Sequence, residues 1–320
     1  MISILLGKDA KLGLLTFLPN LRKNYAAFSR ASLLLFISAC GKSRDDLAEQ
    51  NFFDGLDPAY VPLKTDYEEP TSLDKYFRTL AIDLEYPYWV DALEMDNGKD
   101  EIDLLLMRND NIITFTFPKI IPDYMEEIVK GWGPATTEMQ DASREIFFGL
   151  SKVLDIKIEE RDEIVGMNNI AISRSTLSDA SGISFFPNNS FLIGSDLFIS
   201  SEYDVPLFIS KTLTNYNYEV LVHEIGHSLG LKHPFEADRS NQTILSDQED
   251  QTAYTAMSYN EDPNTFSGTF RSLDWMTLTK FYGVNPDFNS GNDIYFFSDT
   301  NATFIVDGGG TDIIDSSGYA

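Results

Sequence analysis

Residues 223–233 read His223-Glu224-Ile225-Gly226-His227-Ser228-Leu229-Gly230-Leu231-Lys232-His233. As a helix, the stretch places His223 and His227 one turn apart on one face, so two imidazoles can meet a single metal ion. Glu224 stands beside the first of them, where its carboxylate reaches the water that such a metal would hold. Gly230 is where the helix must stop, because glycine takes the left-handed turn that reverses the chain. The reversal returns His233 as a third ligand. Three nitrogens and one open position describe a catalytic zinc site rather than a closed structural one. The plain alternative is two helix-face histidines and one loop histidine with no metal. The chain has three histidines in 320 residues, and all three fall in this stretch.

Composition narrows the surroundings. Hydrophobic residues make up 43% and charged residues 23%, enough for one large globular core or two ordinary ones. The excess of 50 acidic over 24 basic residues gives a net charge of −26. A polyanion would be repelled, so nucleic acid is excluded as a partner. The single cysteine forms no intrachain disulfide and supplies no Cys₂ or Cys₄ zinc site.

Outward from the histidines, Asn111–Pro118 alternates β-branched and aromatic residues and predicts a strand. Met139, Ile146, Phe147, Leu150 and Val153 recur at helical spacing within 134–154. Short strands are expected at Ile156–Glu159, Asn169–Ser173, Gly182–Phe186 and Asp196–Ser200, and helices at Tyr216–Leu231 and Ser272–Phe281. Residues 72–95 begin helically and run into Tyr86-Pro87-Tyr88-Trp89. This order suggests an α/β or α+β sandwich around one mixed sheet. Near the end, Gly291–Phe297 and Thr303–Val306 are strand-like, and they flank Asp307-Gly-Gly-Gly-Thr-Asp312. Glycine for turns with aspartate for hard cations suits calcium, but from these residues alone an acidic turn in a solvated hairpin is the reading to favour.

The extended H-E-x-x-H-x-x-G-x-x-H pattern resembles the metzincin metallopeptidases. That resemblance implies a methionine turn beneath the metal, matched by Tyr254-Thr-Ala-Met257-Ser-Tyr259, with Met257 as the apolar floor. Pro234 after the third histidine, Met257-Ser-Tyr259, and Leu273–Gly283 with its closing Tyr282-Gly283 resemble the serralysin peptidases within that group. The implied fold is an α+β, zincin-like catalytic domain: a mixed twisted sheet, two long helices, the active-site helix and the Met-turn, followed by the start of a β-roll. The implied function is a zinc endopeptidase acting on proteins or peptides outside the cytoplasm. Zinc would be held by His223, His227 and His233, with Tyr259 as a further ligand at rest. Glu224 would act as general base on the zinc-bound water, and Tyr259 would hydrogen-bond the tetrahedral intermediate. Gly182–Phe186 is the candidate edge strand for an extended substrate. The same resemblance places calcium at Asn289, Gly291, Asp293, Asp307, Gly309, Gly310 and Asp312, although Asn289 and Asp293 replace other residue types there. A non-catalytic surface binding module that keeps a calcium- and zinc-stabilised fold is the competing expectation, and a lipoprotein scaffold acting on one partner is a third.

The amino terminus has its own character. Residues 1–39 carry five cations and one anion, a net of +4 on a body of −30. Ala31–Ala39 is a short apolar run after Arg30, and Ile37-Ser38-Ala39-Cys40 resembles a bacterial lipobox. The resemblance implies a lipoprotein-type signal over 1–39, lipidation of Cys40 and a membrane tether. Cys40-Gly41 also shares two letters with the cysteine switch of matrix metalloproteinases, but the flanking residues of that motif are missing. Residues 40–75 are expected to be a linker or pro-segment, 76–285 the catalytic domain and 286–320 the β-roll entry.

Overall fold

The computed structural model describes residues 37–40, 87–177, 180–201, 216–260, 268–296 and 305–315. The expected linker at 41–75 lies outside them, as does most of the expected leader. In chain order the elements are β1 (Ile37–Cys40), α1 (Tyr88–Leu93), α2 (Gly98–Arg108), β2 (Ile112–Thr116), β3 (Gly133–Pro134) and α3 (Thr137–Val153). They continue with β4 (Lys157–Glu160), β5 (Asn169–Ser175), β6 (Gly182–Phe185), β7 (Leu197–Ser200), α4 (Tyr216–Ser228), α5 (Ser272–Tyr282), β8 (Ile294–Phe296) and β9 (Ile313–Asp315).

The main sheet runs β1-β6-β7-β5-β2-β4, with β3 also pairing β5. Its centre is parallel: β2 pairs β4 and β5, and β5 pairs β7. The strands β6 and β3 run against that direction, and β1, antiparallel to β6, runs with the centre again. This is a mixed α/β sheet, with three parallel ladders and three antiparallel ones among the described residues. Side-chain alternation sorts each strand between two cores. Ile170 and Ile172 of β5 and Leu197 and Ile199 of β7 join the core beneath the helices. Ala171, Phe198, Ile183 and Phe185 join a second core with Met125, Val129 and Phe191 on the opposite face. Gly182 and Ser184 therefore face α4, where Ser184 Oγ lies 2.8 Å from Ser228 Oγ.

The long helix α3 starts where Thr136 accepts the Met139 amide, and it buries Met139, Ala142, Ile146, Phe147 and Leu150. The helix α2 was not expected from the sequence. Its run Ile102-Asp-Leu-Leu-Leu106 buries Ile102, Leu105 and Leu106, but the dense leucines blur the helical period. Among the described residues, no helix is long and apolar enough to cross a membrane.

Two expectations are corrected. Ile305 and Val306 are not strand; the partner of β8 is β9, and the pairing is parallel. A parallel pair cannot be a tight hairpin, because its connection must cross back over. Gly182–Phe185 is also not at the free edge of the sheet, since β1 lies outside it.

Asp196 is fully buried, and it accepts hydrogen bonds from the Ala171 amide and the Tyr124 hydroxyl, both at 2.8 Å. Burial pushes its carboxyl well above the ordinary carboxylate range. The folded chain therefore keeps a proton that the unfolded chain has released. That stability is fully present below the ordinary value and is lost as pH rises through the folded one. Asp196→Asn is accordingly expected to flatten the fall of the unfolding temperature as pH rises from about 4, measured by calorimetry. An unchanged slope would contradict it.

Candidate metal centre

The helix α4 carries His223, Glu224 and His227. It ends as the glycine pattern requires: the Gly230 amide bonds to His227 O, the Leu231 amide bonds to Gly226 O, and Gly230 has φ +97°. This is a Schellman stop. A side chain at Gly230 would also strike Ile102, with a Cβ only 2.9 Å from its methyl. Beyond the stop, Lys232 donates its amide to Leu93 O. Its buried ammonium gathers Glu236 O at 2.5 Å and Thr243 O at 3.0 Å, which fixes the loop that carries His233. Burial lowers the Lys232 pKa to about 8.

The three imidazoles converge through Nε2. The separations are 2.9 Å for His223 to His227, 3.1 Å for His223 to His233 and 3.2 Å for His227 to His233. Nitrogens about 2.05 Å from one tetrahedral zinc ion would stand about 3.3 Å apart. Each Nδ1 faces an acceptor: Ala256 O at 2.7 Å, Leu231 O at 2.6 Å and Glu236 Oε2 at 2.9 Å. Carbonyl and carboxylate oxygens only accept, so the Nδ1 atoms carry the protons and the Nε2 lone pairs point at one another. Burial lowers the His223 pKa to about 3 and holds that of His227 well below its ordinary value. Three buried nitrogen donors facing one point fit a zinc ion.

Glu224 is buried, and among the described residues neither carboxylate oxygen has a hydrogen-bond partner. Burial raises its pKa well above the ordinary range. A Cβ built on Gly182 would lie 2.6 Å from Glu224 Cγ and from Oε1. The carboxylate thus fills the space that glycine leaves on β6.

Tyr259 Oη lies 2.9 Å from His233 Nε2. Its ring packs on Phe235, which stacks in turn on His233. Met257 is fully buried, and its sulfur lies 2.7 Å from a Cβ built on Gly226, so only glycine fits there. Asp274 was not among the residues expected at the site. Its buried carboxylate on α5 accepts Thr255 Oγ1 at 2.6 Å, and the Ala256 and Arg271 amides at 2.8 Å each. It pins the turn whose Ala256 carbonyl orients His223. Only its place beside Leu273, in a stretch that resembles a family helix, pointed near it. Glu236 was missed as well. It supplies the one carboxylate among the three Nδ1 acceptors, and Glu236→Ala is expected to weaken zinc binding by roughly 10–100-fold, measured by chelator competition. Unchanged affinity would contradict that role.

In the terminal segment, carboxylate oxygens of Asp293, Asp307 and Asp312 lie within 4.8 Å of one another. Gly310 has φ +112° and packs against Gly291 O. The Gly309 amide donates to Asp307. Asn289 instead spends its amide on Val306 O. Hard oxygen donors of this kind suit calcium. Cys40 lies in β1, far in sequence from both groups, with its backbone opposite Gly182.

Residues 155–291 match the peptidase family described as pregnancy-associated plasma protein-A. Over 248 residues the chain is 27% identical to a serralysin of Photorhabdus sp. (strain Az29), covering 65% of this chain and 48% of that protein. It is 31% identical over 159 residues to a serralysin of Proteus mirabilis, covering 41% and 32%, respectively. With serralysin B of Dickeya chrysanthemi it shares 34% over 131 residues, covering 33% and 27%. The chain spans about half or less of the length of these relatives. The family profile and the relatives carry different family names, and together they support a metzincin metalloprotease.

Proposed function

We propose that the chain is a zinc-dependent endopeptidase of the serralysin type that hydrolyses protein substrates outside the cytoplasm. The observation that carries this reading is the donor set: three imidazoles converge at one point, beside a buried carboxylate that has no partner among the described residues. His223, His227 and His233 would hold the metal. Bound there, zinc supplies Lewis acidity toward the scissile carbonyl and toward water. Glu224 takes a proton from the attacking water and delivers it to the leaving amine, a role that its buried site favours. Tyr259 Oη donates a hydrogen bond to the oxyanion. Met257 and Gly226 set the floor, and Asp274 holds the turn above α5. A substrate would add as an extended strand along β6 in the position that β1 occupies.

The same reading takes calcium at the Asp293, Asp307 and Asp312 cluster. It also takes export with lipidation of Cys40, so that the catalytic domain works at the cell surface. The test is casein cleavage by the purified chain, with zinc content measured on the same sample. Cleavage is expected to vanish with a chelator and to return with zinc. One zinc per chain with no turnover on a peptide library would replace this reading with the non-catalytic surface module.

A further inference from the structure

The outer edge of β6 is the side on which a peptide would add as a strand, and it already has an occupant. Ile37 pairs Phe185, Ser38 pairs Ser184, Ala39 pairs Ile183 and Cys40 pairs Gly182, all antiparallel. The Phe185 amide donates to Asp196 O on the β7 side. Alternation therefore turns the N–H and C=O groups of Gly182 and Ser184 outward, toward β1. These are the backbone groups that an incoming peptide backbone would need. The register brings the β1 backbone beside the site, because Gly182 is the residue against which the Glu224 carboxylate packs.

We infer that Ile37–Cys40 is an internal competitor for the substrate's strand position, docked on the β6 edge opposite Gly182–Phe185. The inference rests on the peptidase reading above, and it names what regulates that site. Main-chain pairing gives such a strand its affinity with little demand on sequence. Tethering to the same chain makes the competition intramolecular. A cut between Ala39 and Cys40, where the lipobox resemblance places it, would remove three of the four paired residues. The segment that reads as the end of an export leader would then also restrain the peptidase until it is removed.

The experiment uses the full zinc-loaded chain and two proline variants. Ser38 stands opposite Ser184, where its amide faces β6, so Ser38→Pro removes a ladder donor. Ala39 has its amide facing away, so Ala39→Pro is tolerated on an outer strand. Amide hydrogen exchange is followed at Gly182 and Ser184, with the α4 amides as the control for folding. In Ser38→Pro both edge amides are expected to exchange roughly tenfold or more faster, while Ala39→Pro matches the wild type. A quenched fluorescent peptide is expected to be cleaved roughly tenfold faster by Ser38→Pro. Equal exchange at Gly182 and Ser184 in all three chains would overturn the inference. Faster exchange without faster cleavage, in chains that do cleave, would overturn it too. Faster exchange with zinc bound and no cleavage by any chain would leave the docked strand standing and remove the peptidase reading instead.

Discussion

In the zinc-loaded chain, Glu224→Gln is expected to lower kcat by roughly 10²–10⁴-fold, the usual share of a positioned acid–base group. Zinc stays bound, because the three Nε2 donors and their Nδ1 acceptors are untouched. KM moves little, since the residue serves the proton transfer and not the strand pairing. Stability moves the other way. The wild-type carboxyl is buried without a partner among the described residues, and a neutral amide of the same size is cheaper to bury. The variant should unfold at a temperature no lower than the wild type, which is the mark of a site held against stability for the sake of activity. The measurements are peptide turnover, zinc content and calorimetry on one preparation. A variant with full turnover would remove Glu224 from the mechanism.

The second large effect is expected from a single methyl group. Gly182→Ala puts a Cβ 2.6 Å from both Glu224 Cγ and Oε1, closer than carbon atoms tolerate. The whole carboxylate arm must shift, not only its flexible end, because Cγ is struck as well. A displacement of about 1 Å at a reacting group costs on the order of 10²-fold in rate. Zinc content and the unfolding temperature should stay close to wild type, since the metal donors lie elsewhere on α4 and in the following loop. Ile183→Val, one residue along but on the opposite face, is the control and should leave kcat within about twofold. If Gly182→Ala also stayed within that range, the packing of Glu224 on β6 would not be what positions it.

What the sequence made legible was local. His223, Glu224, His227, Gly230 and His233 sit within one helix and its stop, so their geometry follows from helical spacing and one left-handed glycine. The helix α3 was readable because five apolar positions keep one period. Pairings between distant parts of the chain were not readable. Gly182 meets Glu224, and Asp274 meets Thr255 and Ala256, only because the sheet and α5 bring them together. A buried aspartate near a tryptophan carries no signature of the turn it will hold. Ile37–Cys40 shows the same limit from another side. Four small or apolar residues suit both the end of a leader and a short strand, and only a partner edge decides between them. The strand at Gly291–Phe297 was legible, but its partner was misplaced, because Thr303–Val306 and Ile313–Asp315 are both β-rich and pairing with β8 selects the second.

The hold of Asp274 on the turn before Met257 also sets when the site can exist. Chain synthesis delivers His233 first and the end of α5 about fifty residues later, an interval of several seconds at ribosomal speed. Until α5 docks, Thr255 and the Ala256 amide lack their acceptor, and the carbonyl that orients His223 has no fixed position. A nascent chain therefore carries all three histidines before the turn that orients His223 is held in place.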